Sequence, residues 1–162
     1  HMEDPMAGWR VLTELLNVGG LMKIGLYSEL ARRHIVAVRE EIASLGLGPS
    51  ETSISAFRQS LLKSPHENHR LLVTSTDFFS LSTIRDLIFH EQECRFTLPR
   101  INDCLNRLGL KFCGFENADI VSRFRAFHGE RSEATDLMLW NEFEESHSQT
   151  FLGMYEFWCQ KL

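Results

Sequence analysis

The part of this sequence best suited to acid–base chemistry is a histidine followed by carboxylates. His90, Glu91 and Glu93 come directly after an apolar run of helical spacing, and imidazole changes its charge near neutral pH. We therefore expect His90 to act as a base or to orient a nucleophilic substrate. The alternative is a helix-end histidine that the helix dipole stabilises and that pairs with Glu93 or Asp86.

The spacing of cysteine and histidine gives little support for a metal site. His90 and Cys94 are four residues apart, as on one helix face, but two ligands do not make a site. The other cysteines, Cys104, Cys113 and Cys159, are widely separated and form no C-x-x-C pair. The sequence therefore predicts no bound metal and no disulfide framework, and it predicts that Cys104 and Cys113 are core residues.

Candidate substrate contacts lie at the end of a short apolar run and in a later helical region. Tyr27 and Ser28 end the apolar run, and ligands of open α/β sheets sit beyond the carboxyl ends of the strands. A strand-end tyrosine with its hydroxyl in water is the alternative for Tyr27. Four further candidates for substrate binding are Asp77, Phe78, Arg85 and Glu93. For Asp77, the alternative is a helix cap that precedes two core aromatic residues.

Other residues that could do chemistry have plainer interpretations. His66 and His69 fall in a polar stretch, 63–69, which predicts an exposed loop around Pro65. Aromatic residues near the C-terminus could stack on a planar ligand, but their spacing favours a core. These residues are Trp140, Phe143, Phe151, Tyr155, Phe157 and Trp158.

Composition excludes several classes of function. The chain has 162 residues, is 43% apolar and carries a formal net charge of −5, which predicts one folded domain with a substantial core. The negative charge argues against binding to nucleic acid or to an anionic membrane. No apolar run approaches the roughly 20 residues that span a bilayer. We expect a cytoplasmic protein.

Periodicity predicts a helix, a strand and then a helical insertion in the first part of the chain. Asp4 and Pro5 start a helix that runs to about Leu16, with Trp9, Leu12 and Leu15 at helical spacing. Gly19-Gly20 then leads into a buried strand from Leu21 to Tyr27. Residues of about 28–93 form the insertion, without an obvious strand. Its predicted helices are Glu29–Leu45, Ser53–Leu62 and one from Thr76 or Asp77 through Phe89.

The rest of the chain alternates helices with two short strands. Thr97 caps a helix that Gly109 ends. The segments that follow are a strand at Leu110–Phe115, helices at Ala118–Phe127 and Thr135–Glu145, and a strand at Phe151–Trp158. The aromatic content of the last segment favours a strand over a terminal helix.

This order of elements, with several local motifs, resembles the second half of class I S-adenosylmethionine-dependent methyltransferases. More narrowly, it resembles bacterial methyltransferases that are often fused to tetratricopeptide repeats. The motifs are Asp86-Leu-Ile-Phe-His-Glu-Gln-Glu93, Arg95-Phe-Thr-Leu-Pro99, Leu110-Lys-Phe-Cys-Gly-Phe-Glu116 and Met154-Tyr-Glu-Phe-Trp158. The resemblance covers nearly the whole chain from Glu3 onward.

The resemblance implies a helix-rich α/β fold that is the truncated C-terminal half of a Rossmann-like methyltransferase sheet. The three strands would be the fifth, sixth and seventh of that sheet, with the seventh antiparallel between the other two. The helical insertion would supply part of the methyl-acceptor pocket and its cap. Residues 3–162 would be the C-terminal part of the domain, and His1-Met2 resembles an expression-tag remnant.

The resemblance also implies that the cofactor, S-adenosylmethionine, binds the full-length enzyme rather than this chain. None of the glycine pairs here follows a strand in the order that a cofactor turn requires. No residue is therefore assigned to the cofactor, and the chain alone is expected to be inactive. The methyl acceptor is unknown, and transfer to nitrogen, oxygen or carbon stays open.

Removal of the N-terminal half of such a sheet would leave the Leu21–Tyr27 strand with a bare edge. Unpaired backbone donors and acceptors invite pairing with another chain. We therefore expect a homodimer through this edge or through a swapped element, or else a local rearrangement of the first 28 residues. In the parent protein the N-terminal half would be the partner of this edge. The alternative function, from another class, is a non-catalytic helical module that binds other proteins.

Overall fold

The computed structural model describes residues 4–89 and 93–162. This part of the chain has the helix-rich α/β architecture that the sequence predicts. Its elements in chain order are α1 (Pro5–Leu15), β1 (Leu21–Ser28), α2 (Arg33–Ser44), α3 (Glu51–Lys63), α4 (Glu67–Thr74), a 3-10 helix (Thr76–Phe79), α5 (Leu81–Phe89), β2 (Arg95–Phe96), α6 (Leu98–Leu108), β3 (Leu110–Phe115), α7 (Ala118–His128), α8 (Leu137–Ser146) and β4 (Tyr155–Lys161).

These elements form two compact units. The first, here called the sheet unit, comprises residues 4–31 and 94–162, and the second, the helical unit, comprises Arg32–Glu93. All four strands belong to the sheet unit, and each unit has an apolar core of its own. The assignment of the helical region to an insertion in a methyltransferase domain stays a prediction.

The sheet has the strand order β2-β1-β4-β3. β4 is antiparallel to both β1 and β3, with Ile24 opposite Phe157 and Phe112 opposite Cys159. The last strand therefore lies between the other two predicted strands, as expected. Its numbering as the seventh strand of a larger sheet stays an interpretation.

The last strand begins later than the sequence predicts. β4 starts at Tyr155, whereas Phe151 lies in the preceding turn and is buried. The Phe151 ring lies 4.7 Å from the rings of both Phe115 and Tyr155, measured between centroids. The aromatic run therefore spans a buried turn and the strand after it. Aromatic content alone does not separate the two, because aromatic side chains are buried in both.

The aromatic core forms as predicted, except at one residue. Trp140 stacks on Phe124 with ring centroids 3.9 Å apart, and both side chains are fully buried. Trp158 is instead 39% exposed. Side chains alternate along a strand, so the burial of Phe157 and Cys159 directs Trp158 to the opposite face.

The strand β2 is not predicted from the sequence. β2 has two residues and pairs in parallel with the end of β1, with Tyr27 opposite Arg95 and Ser28 opposite Phe96. The backbone N–H of Glu29 extends this pairing by donating to the carbonyl of Phe96 at 2.9 Å. Two residues are too few to show the alternation that predicts a strand.

The first helix starts as predicted but buries a different face. The Asp4 carboxylate accepts hydrogen bonds from the backbone N–H groups of Met6 and Ala7, and Pro5 occupies the first turn. Trp9 is buried, with its ring 6.2 Å from that of Phe157. The predicted companions of Trp9 on the buried face, Leu12 and Leu15, are 52% and 78% exposed.

The structure differs from the exposed loop that the sequence predicts at residues 63–69. α4 begins at Glu67, so His69 lies in a helix and is buried, not in an exposed loop. His69 Nε2 lies 2.6 Å from a Glu41 carboxylate oxygen and its Nδ1 lies 2.7 Å from Ser64 Oγ. Those two partners replace the hydrogen bonds with water that the imidazole loses when it is buried. His66 is exposed, as predicted.

The helix predicted from Thr76 or Asp77 is divided in two. Ser75, rather than either residue, caps the 3-10 helix by accepting a hydrogen bond from the Asp77 backbone N–H. α5 then starts at Leu81. Phe79, interpreted as a core aromatic, is 71% exposed.

The cysteines are free thiols, and one lies outside its predicted position. Cys104 and Cys159 are buried, whereas Cys113 is exposed because it alternates with the buried Phe112 on β3. In the described ranges, no group of three His, Cys, Asp or Glu residues could hold a metal. Within the same ranges, none of the helices has the length and apolarity to cross a membrane.

Candidate functional site

A buried cluster of hydrogen bonds lies at the carboxyl end of β1. Ser28 Oγ donates to Glu144 Oε1 at 2.5 Å, and the Tyr155 hydroxyl donates to Glu144 Oε2 at 2.6 Å. The backbone N–H of Ala31 donates to Ser28 Oγ at 3.0 Å. We call these three side chains the Ser28–Glu144–Tyr155 cluster.

Three elements of the sheet unit bring the cluster together. Ser28 is the last residue of β1, Tyr155 is the first of β4, and Glu144 lies in the last turn of α8. The antiparallel register sets Tyr155 opposite Leu26, two residues before Ser28. Side chains two residues apart on a strand share a face, so the Ser28 and Tyr155 hydroxyls both lie on the core side.

Burial determines the protonation of the tyrosine in this cluster. Removal from water raises the pKa of Tyr155 far above its ordinary value of 10, and the charge of Glu144 and its hydrogen bond raise this pKa further. The phenol therefore keeps its proton and remains a donor to Glu144. Ser28 and Tyr155 have no exposed surface, and Glu144 is 2% exposed. Such a cluster can position the end of β1 and the turn after it.

Tyr27 lies next to the cluster at the strand end predicted to contact a ligand. Its side chain is half-buried, whereas the neighbouring Ser28 is fully buried. The structure therefore brings these two candidates together but assigns them different surroundings. Tyr27 presents surface at the carboxyl end of β1, and Ser28 holds that end in place.

In the helical unit, Glu93 is a buried carboxylate with two arginine partners. Arg32 donates to both of its oxygens, one of them from Nε at 3.1 Å, and Arg39 Nη2 donates to Oε2 at 3.0 Å. The Arg39 guanidinium also donates to the Leu87 carbonyl at 2.7 and 3.0 Å. Arg39 on α2 thus bonds both to the end of α5 and to Glu93.

The two arginines also determine the charge of Glu93. Burial alone would raise the pKa of this carboxyl, but the hydrogen bonds and charges of Arg32 and Arg39 outweigh it and hold the pKa below its ordinary value of 4.5. The Glu93 side chain is 3% exposed. Its carboxylate is ionised and bonded to two arginines of the same unit. The sequence instead predicts that Glu93 contacts a substrate.

The other candidates of the helical unit are dispersed. Phe78 is buried in the core, 5.0 Å below the Arg58 guanidinium, instead of facing a ligand. Asp77 is half-buried, and its carbonyl accepts a hydrogen bond from Thr83 Oγ1 at 2.8 Å. Arg85 is exposed on α5. His90, the predicted base, lies outside the described residues.

Glu144 and Tyr155 are functional candidates that the sequence does not predict. A signal existed for Glu144, because it follows Trp140 by four residues and Phe143 by one, on the apolar face of a predicted helix. A charged residue on a buried face requires a polar partner. Tyr155 was assigned to the core, where its ring does lie, but its hydroxyl is part of the cluster.

Comparison with solved structures identifies the fold. The chain matches PKMT2 from Rickettsia typhi, solved in complex with AdoHcy, with a TM-score of 0.64 and 12% sequence identity. The match covers 99% of this chain and 33% of that protein. The chain has a methyltransferase-like fold.

Comparison of sequences adds one relative and no family assignment. An uncharacterized protein of Synechococcus sp., syc1184_c, is 27% identical over an alignment 172 residues long. The alignment covers 94% of this chain and 41% of that protein. No protein-family model matches the chain. The chain therefore spans less than half the length of either protein that it matches here.

Proposed function

We propose that this chain is the C-terminal part of a bacterial S-adenosylmethionine-dependent methyltransferase, of the class I type often fused to tetratricopeptide repeats. The observation that carries the proposal is the match of 99% of the chain to one third of PKMT2. That protein was solved with AdoHcy, which is what remains of S-adenosylmethionine after methyl transfer. The cofactor-binding half would then lie in the rest of the parent polypeptide.

The strand order supports this assignment. β4 runs antiparallel between β1 and β3, which is the arrangement that the resemblance implies for strands five, seven and six. The carboxyl end of β1 would face the methyl acceptor, because ligands of open α/β sheets bind beyond the carboxyl ends of strands. In this proposal Tyr27 contacts the acceptor, and the Ser28–Glu144–Tyr155 cluster keeps the strand end in place.

The described residues do not fit the cofactor itself. The turn after β1 contains no glycine, and Gly114, near the end of β3, lies within the strand rather than in a turn that opens a helix. A cofactor turn requires glycine where the backbone approaches the ligand and enters a helix. S-adenosylmethionine would supply the methyl group in the parent protein, and no residue here is assigned to it. The roles of His90 as base and of the helical unit as cap stay predictions.

Calorimetric titration of AdoHcy tests the proposal. The ligand is titrated into this 162-residue chain and into the full-length polypeptide of its source, with ATP as a control that shares only the adenosine portion. We expect AdoHcy to bind the full-length polypeptide and not the shorter chain, and ATP to bind neither.

Two outcomes would contradict the proposal. Tight binding of AdoHcy by the 162-residue chain would contradict the division of the cofactor and acceptor sides. Failure of the full-length polypeptide to bind AdoHcy would contradict methyltransferase function and favour the non-catalytic interaction module.

A further inference from the structure

The outer edge of β1, on the side opposite β4, lacks a strand partner along most of its length. β4 pairs with every residue of Leu21–Leu26 on the inner side. On the outer side β2 pairs only with Tyr27 and Ser28, and no other described strand continues the pairing. Six residues of β1 therefore present a free edge.

The orientation of neighbouring backbone groups identifies which residues face that edge. The Glu29 N–H points outward to Phe96, and the Gly20 carbonyl points inward to accept from Lys161 at 2.9 Å. Because these directions alternate along a strand, the N–H and C=O groups of Leu21, Lys23 and Gly25 point outward.

This edge lacks the features that usually prevent pairing with another chain. It contains no proline, and its register with β4 runs without a shift from Leu21 to Leu26. Its only charged residue is Lys23, whose ammonium group bonds to Glu116 and lies 3.5 Å from Glu156. Since Glu156 lies on β4 and Glu116 directly after β3, this charge is directed away from the outer edge. Protected edges usually direct charge outward or carry proline.

Exposed apolar side chains lie at the start of β1 and just before it in the chain. Leu15 and Val18 precede β1 and are each 78% exposed, and Leu21 at its start is 54% exposed. Pairing through the edge would remove part of the exposed surface of Leu21 from water, which favours association.

We propose that two copies of this chain pair through the outer edges of β1, antiparallel and centred on Lys23. Opposite residues of an antiparallel pair share a face, so the two-fold axis must pass midway between the two copies of one residue. The Lys23 centre sets Leu21 opposite Gly25 and uses all three outward-facing residues. A centre on Ile24 would set Leu21 opposite Tyr27, whose outward groups already pair with β2. The two-fold axis closes the assembly as a dimer.

Light scattering coupled to size-exclusion chromatography tests the assembly. We expect the 162-residue chain to show twice its chain mass of 18.7 kDa. Lys23→Pro removes the ion pairs of Lys23 and an N–H that points outward but none that bonds to β4, so it should yield a monomer with an unchanged circular dichroism spectrum. Lys23→Ala removes the same ion pairs, keeps the N–H and should remain a dimer. A monomeric wild-type chain, or a dimeric Lys23→Pro variant, would overturn the proposal.

Cysteine cross-linking tests the register in a background in which the exposed Cys113 is replaced by serine. At a hydrogen-bonded antiparallel pair the Cα atoms lie about 5.5 Å apart, a separation that a disulfide spans. Lys23→Cys should therefore form a covalent dimer on mild oxidation, whereas Ile24→Cys should not. Cross-linking of Ile24→Cys alone would overturn the Lys23 centre. These results do not depend on AdoHcy binding, so either proposal can fail without the other.

Discussion

At the scale of single residues, Glu144 is predicted to stabilise the sheet unit through two buried hydrogen bonds. It accepts hydrogen bonds from Ser28 and Tyr155, two hydroxyls that have no exposed surface. Glu144→Ala would remove the carboxylate that accepts from both hydroxyls, at roughly 1 to 3 kcal/mol for each lost bond. We expect the free energy of unfolding, measured by urea denaturation, to fall by about 3 kcal/mol.

A neighbouring carboxylate provides the control for this prediction. Glu145 follows Glu144 on α8 and is exposed, so Glu145→Ala should change the free energy of unfolding by about 0.5 kcal/mol or less. Glu144→Gln can still hydrogen-bond both hydroxyls and should lie between the two alanine variants. Equal effects of Glu144→Ala and Glu145→Ala would show that the cluster does not stabilise the fold.

Glu93 gives a prediction about acid stability. Its pKa in the folded chain lies below the ordinary value of 4.5, so the folded state binds this proton more weakly than the unfolded state does. The stabilisation is therefore complete above about pH 4.5 and is lost as the pH falls through the lower pKa of the folded state. Unfolding of the wild-type chain should become easier across this acidic range.

The variant Glu93→Gln isolates this contribution. At neutral pH it should lower the free energy of unfolding by about 3 kcal/mol, because the buried Arg32 and the half-buried Arg39 lose their carboxylate. Below pH 4.5 its stability should fall less steeply than that of the wild-type chain. Glu40→Gln, which changes an exposed carboxylate on α2, is the control. Parallel pH profiles for the wild-type chain and Glu93→Gln would contradict the prediction.

At the scale of elements, Gly109 determines how α6 leads into β3. It has φ +64 at the end of the helix, and β3 begins at the next residue. A Cβ at this position would meet no atom within 4 Å, so the cost of a side chain is conformational alone. We expect Gly109→Ala to reduce the free energy of unfolding by about 1 kcal/mol in urea.

Gly153 is a matched control for this substitution. It also has open space for a Cβ, but its φ lies outside the left-handed region. Gly153→Ala should therefore leave the stability of the sheet unit nearly unchanged or raise it slightly. If both substitutions had the same effect, the left-handed conformation would not be the reason for glycine at 109.

At the scale of the whole molecule, the proposed function and the proposed dimer make different predictions for the outer edge of β1. In the longer methyltransferase that we propose from the match to one third of PKMT2, an upstream strand would occupy the outer edge of β1. The proposed dimer concerns the 162-residue chain, in which that edge is free. A longer polypeptide that contains the upstream strand should therefore lose the β1–β1 pairing.

Local signals in the sequence were sufficient to predict the starts of α1, α6 and α7, most helix ends and the main strands. Asp4 with Pro5, and Thr97 with Pro99, start helices because their side chains or fixed backbone angles suit the first turn. Gly109 ends one because only glycine adopts a left-handed conformation at little cost. These effects act within a few residues, so the local sequence is enough to predict them.

The tertiary structure decided which of these residues contact each other. Ser28 and Glu144 are 116 positions apart, and no periodicity within either segment indicates the other. The exposed positions of Leu12 and Trp158 likewise depend on which face the neighbouring elements cover. Helix caps and strand alternation are properties of the local chain, whereas the buried cluster and the free edge of β1 depend on packing between distant segments.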